Sequence, residues 1–84
     1  MKHQIFQAIE AADKLLSHHE IEDAEVVNTY LVADGTKWCV EYNPFMYNGE
    51  EYCKVVMSDT AINDLLIDPT APNDYFAVCV LNVN

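Results

Sequence analysis

The chain has 84 residues, of which 14 are Asp or Glu and 4 are Lys, with no Arg, so its formal net charge is −10 at neutral pH. So negative a surface repels nucleic acid and anionic membrane, and without Arg there is no bidentate fork for phosphate, which excludes direct nucleic-acid binding and membrane docking. An apolar share of 51% is too high for a disordered acidic tail, and the length suits a single domain, residues 1–84, with one modest core.

The first element in chain order is an amphipathic helix over residues 3 to 18. Ile5, Phe6, Ile9, Ala12, Leu15 and Leu16 share a helical spacing, and Gln7, Glu10, Asp13, Lys14 and Ser17 take the opposite side. No apolar signal segment leads into it, and no run approaches the roughly 20 apolar residues of a membrane span, so the chain reads as cytoplasmic. Residues 18 to 25 follow, with Glu20, Glu22, Asp23 and Glu25 crowded together. They fit either a further helical turn or the approach to a first strand.

Val26 to Asn43 reads as a β-hairpin about Asp34-Gly35, because Asp-Gly between two alternating apolar runs suits a two-residue turn with φ > 0 at both central positions. With Ala33 facing Thr36, Leu31 pairs with Trp38, Thr29 with Val40 and Val27 with Tyr42 on one face. Val32/Lys37, Tyr30/Cys39 and Asn28/Glu41 share the other. The first face is the one that the helix is expected to cover. Asn43-Pro44 is expected to end the second strand, since proline donates no ladder hydrogen bond.

Phe45 to Glu51 reads as a connection with a second tight turn at Asn48-Gly49, and Tyr52 to Met57 as a third strand. Ser58, Asp59 and Thr60 are N-cap candidates for a short helix through Ile67, which Pro69 stops. Thr70 to Asp74 is loop. Tyr75 to Val83, polar only at Asn82, reads as a fourth strand buried on both faces. The fold class is therefore α+β: an antiparallel sheet of about four strands carrying an N-terminal amphipathic helix and one short second helix, in the order α-β-β-β-α-β. The uncharged fourth strand must lie inside the sheet or be covered by a second copy in a homodimer.

Chemistry is sparse. Cys39, Cys53 and Cys79 lack CxxC spacing and fall in apolar runs, as reduced core thiols do. The two glycines are used in turns, which leaves no phosphate cradle. His18 and His19 beside Glu20, Glu22 and Asp23 have no second ligand pair at zinc spacing, and histidine is favourable near a helix C-terminus. The chain is expected to be no enzyme and to hold no metal or cofactor.

The remaining signal is acidity. Rows of carboxylates on an exposed surface can roughly imitate the phosphates of a nucleic-acid strand, and Glu10, Asp13, Glu20, Glu22, Asp23, Glu25, Glu50 and Glu51 are the candidates for such a surface. The expected partner is a basic protein, above all a nucleic-acid-binding enzyme or effector complex. The expected role is a small inhibitor of the DNA-mimic kind, in the manner of phage anti-CRISPR or anti-restriction proteins. An immunity or antitoxin protein against a basic toxin, or an assembly module associating through residues 75–83, is the alternative.

Overall fold

The computed structural model describes residues 3–70 and 75–82, so the expected loop residues 71–74 and the last expected strand residue, Val83, lie outside the described residues. Within them the elements are α1 (Ile5–His18), β1 (Val26–Val32), β2 (Lys37–Tyr47), β3 (Glu50–Ser58), α2 (Asp59–Ile67), α3 (Tyr75–Cys79) and β4 (Val80–Asn82). The strands form one antiparallel sheet in the order β1-β2-β3-β4. The expected α+β order is thus observed, with one additional short helix.

In α1 the buried side is Ala8, Ala11, Ala12, Leu15 and Leu16, a 3–4 spacing whose alanines allow close approach to Ala61, Ile62 and Leu65 of α2. Phe6, expected in this stripe, is 77% exposed. At about 100° per residue it sits roughly 200° round the helix from Ala8, on the side of Glu10, Asp13 and Ser17. The helices rest on Val40, Tyr42, Val55 and Met57 of the central strands, with Trp38 half-buried at the margin. Leu31, expected beneath α1, is exposed instead, because α1 and α2 lie over β2 and β3 and leave β1 at the edge.

The first hairpin has the expected register from Val32↔Lys37 to Asn28↔Glu41, but a bulge at Val27 makes Val26 the partner of Tyr42. Its turn begins one residue early. Ala33, Asp34 and Gly35 all have positive φ, and the Gly35 and Thr36 amides donate to the Val32 and Ala33 carbonyls at 3.1 Å. The second hairpin turns on Asn48-Gly49, both left-handed, between the paired residues Tyr47 and Glu50.

β2 does not end at Pro44. Tyr42, Asn43 and Pro44 stand opposite the single residue Cys53 of β3, so the strand continues through a bulge in which the missing proline N–H costs no ladder bond. The Asn43 amide is satisfied at 2.8 Å by the Glu25 carbonyl. Beyond the bulge the alternation is reset, and Phe45 and Tyr52 join the core side.

Residues 75–79 are helical rather than strand. Burial follows a helical period, with Phe76, Cys79 and Val80 inside and Ala77 and Val78 outside. The Phe76 ring lies 4.4 Å from that of Tyr47 and 4.7 Å from that of His19, and the Tyr75 hydroxyl donates to Asp64 Oδ2 at 2.6 Å. These contacts need both aromatic side chains on the helix side of the sheet, which a strand would forbid by sending them to opposite faces. β4 is left with three residues and pairs β3 at an edge, not inside the sheet.

The helices cover one face of the sheet only. On the open face, cross-strand rows run Val32–Lys37–Ser58, Tyr30–Cys39–Val56 and Asn28–Glu41–Lys54–Leu81.

Candidate functional site

The acidic segment is shaped by the way α1 ends. The Ile21 amide donates to the Leu16 carbonyl and the Glu20 amide to that of Ser17, both at 2.9 Å, with Glu20 at φ 63. This is a Schellman end, in which Ile21 packs back on Leu16, but with glutamate in the left-handed position that usually takes glycine. The open question of residues 18 to 25 is resolved with His18 closing α1 and the residues after it in neither helix nor strand: Ile21 is buried and Ala24 half-buried as two anchors, while Glu20, Glu22, Asp23 and Glu25 are exposed. At its far end the segment is tied to β2 by the bond between Glu25 and Asn43.

Between α1 and this segment lies a shallow groove of about 230 Å³ lined by Asp13, Leu16, Ser17, Ile21, Glu22 and Ala24. It has an apolar floor and two carboxylates at its rim. Such a groove fits a lysine or arginine of a partner, which can lay its methylene stem on the floor and its cation between the acids. Phe6 extends the surface along α1 as an exposed aromatic beside Glu10 and Asp13.

The eight expected acids differ in their commitments. Among the described residues Lys14 pairs with Glu10 at 3.4 Å and His3 Nδ1 is hydrogen-bonded to Asp59 Oδ1 at 2.7 Å, and neither contact neutralises Glu20, Glu22, Asp23 or Glu25. Glu10 is partly compensated, although an exposed pair of this kind is worth little. Asp13 accepts a 2.7 Å bond from the Tyr42 hydroxyl, which leaves part of its carboxylate for the groove. Glu50 accepts from Tyr52 at 2.8 Å. Its register partner Tyr47 places its hydroxyl 3.4 Å from His19 Nδ1, which brings the hairpin tip to the C-terminal end of α1 beside Glu20. Glu51, paired with Met46, projects to the other side of the hairpin and does not join them.

Sequence reasoning missed two features. Phe6 could have been found from the helical wheel, which sets it among the acids. His3 and Asp59, by contrast, are 56 positions apart, and their pairing beside a polar pocket of about 440 Å³ lined by Gln7, Thr60 and Asn63 has no sequence signal. The three cysteines are free, with Cys39 and Cys79 buried, and burial pushes the Cys79 thiol up to about 11, so it stays protonated at neutral pH. Cys39 is 1% exposed although it lies on the side of the sheet away from the helices, in the row with Tyr30 and Val56. Among the described residues no three His, Cys, Asp or Glu side chains converge as a metal site, and no helix is long and apolar enough to cross a membrane.

No family model matches the chain, and neither a curated protein nor a solved structure is significantly similar to it.

Proposed function

We propose that this chain is a small non-catalytic inhibitor that occupies the basic nucleic-acid-binding surface of a nuclease or other nucleic-acid-processing complex in the cytoplasm, as phage anti-CRISPR and anti-restriction proteins do. One observation carries the reading: the uncompensated acids of residues 20–25 border a groove where Asp13 and Glu22 flank an apolar floor. That combination suits basic side chains, and the adjoining Phe6 supplies an aromatic anchor of the sort that concentrates binding energy. The net charge of −10 steers association with a positive groove and disfavours competing acidic partners.

The test is capture of partners from host lysate on the immobilised protein at low and at high salt, with Glu20, Glu22, Asp23 and Glu25 all changed to Lys in a parallel sample. The expected partner is a basic nucleic-acid-binding enzyme that is released by salt, displaced by its own nucleic acid and lost with the four reversed charges. A toxin captured with the same dependence would place the same surface in an immunity protein. A partner that survives the four reversals would overturn the assignment of this surface.

A further inference from the structure

The side of the sheet away from the helices differs in character from the rest of the molecule. Tyr30, Val32 and Val56 are half-buried there, while Leu81 and Met46 are 44% and 60% exposed. Among the described residues its charges are Lys37 and Lys54 against Glu41 and Glu51, so the face is neutral while the other described surfaces carry a large excess of acids. At the β4 margin the face ends in a groove of about 310 Å³ that reaches round to the helix side, lined by Val56 and Leu81 together with Ala61, Tyr75, Val78 and Cys79.

The edges of the sheet are poor joining sites. On β1 the bulge at Val27 breaks the ladder, and the Thr29 amide is taken at 3.0 Å by the neighbouring Asn28 side chain. β4 presents three residues. Bulges and short edge strands are the usual means of preventing edge pairing. The open face carries no such protection.

We infer that two copies of this chain pack open face to open face in a two-fold dimer, a sheet-on-sheet sandwich with the helices outside. A second copy is the occupant that the charges select: elsewhere two copies repel, whereas here a two-fold axis running along the strands between β2 and β3 sets Lys54 of one copy against Glu41 of the other. The row Tyr30–Cys39–Val56, with Val32, Met46 and Leu81 around it, supplies the apolar contact, at the roughly 10 Å separation of stacked sheets. The dimer leaves residues 20–25 and Phe6 on the outer side, and the inference does not depend on the inhibitory reading.

Light scattering on the purified chain without any target tests it. The expected result is twice the 9.5 kDa chain mass at about 100 µM, falling to the single mass in Val56→Lys with an unchanged far-UV circular dichroism spectrum. Should Val56→Lys fail to fold, the double variant Lys37→Glu, Lys54→Glu gives the second reading, since it makes the face repel its copy and is expected to raise the dissociation constant roughly tenfold or more. A single 9.5 kDa species over the whole concentration range overturns the dimer, and a doubled mass that persists in either folded variant overturns this face as its interface.

Discussion

The Tyr42 hydroxyl donates a 2.7 Å hydrogen bond to Asp13 Oδ1, fastening the middle of α1 to the central strand β2. Burial and then the Asp13 carboxylate push the phenol well above its ordinary value near 10. Tyr42→Phe should therefore cost about 1 kcal/mol at neutral pH, with the fold intact. The sign at high pH follows from linkage. A phenol whose folded pKa is raised adds stability that is complete below the unfolded value and is lost as pH rises beyond it. Chemical denaturation from pH 7 to 11 should show a constant gap between wild type and Tyr42→Phe that narrows above about pH 10. A gap that widens there would contradict the assignment.

Ala33 is held at φ 54, where a β-carbon is strained and glycine is not. Ala33→Gly should raise stability by about 0.5 to 1 kcal/mol. The converse change tests the same physics without a packing effect, since a Cβ at Gly35 meets nothing within 4 Å. Gly35→Ala should lower stability by about 1 kcal/mol. Urea midpoints of the two variants should move in opposite directions.

Ser58 Oγ accepts the Ala61 amide at 3.3 Å and caps α2, whose Ile62 and Leu65 are fully buried. Ser58→Ala should cost about 1 kcal/mol, a fall in Tm of about 4 to 8 °C for a domain of this size. An unchanged Tm in calorimetry would show that the cap contributes nothing.

Phe6 separates binding from folding. Because it is 77% exposed, Phe6→Ala should alter stability by less than about 0.5 kcal/mol. Loss of an aromatic anchor at a charged interface should nevertheless weaken the target complex by about 2 kcal/mol or more. Calorimetric titration against the captured target, alongside a melting curve, reads both quantities; an unaffected affinity would remove Phe6 from the interface.

Salt should act on the complex and hardly on the fold. Exposed carboxylates at residues 20–25 are screened over a Debye length of about 8 Å near physiological ionic strength, so the association rate should fall with added salt while dissociation changes little. Surface plasmon resonance across a salt series would show this, and a flat association rate would argue for an apolar contact instead.

What was legible in the sequence rests on local energies. Alternation from Asn28 to Glu41 and the turn residues about Asp34-Gly35 and at Asn48-Gly49 set the hairpin registers, because side-chain period and left-handed backbone preference act within a few residues, whereas the bulge at Val27 and the earlier start of the first turn were not legible. Ser58 as a cap and the charge of the chain are local in the same sense. Tertiary contacts decided the rest. Tyr75 to Cys79 has the composition of a strand, yet Phe76 and Tyr75 gain more from His19, Tyr47 and Asp64 as a helical turn. Pro44 stays within β2 because a bulge against Cys53 removes the need for its amide. Glu20 adopts a glycine-like conformation because Ile21 must reach the core beside Leu16. The same holds for the candidate site: all eight acids could be named from the sequence, but their grouping depended on partners distant in the chain. Asp13 is engaged by Tyr42 and Glu10 by Lys14, Glu51 points away, and only packing brings Asp13 and Glu22 to one groove, since a carboxylate's availability depends on which groups the fold places beside it.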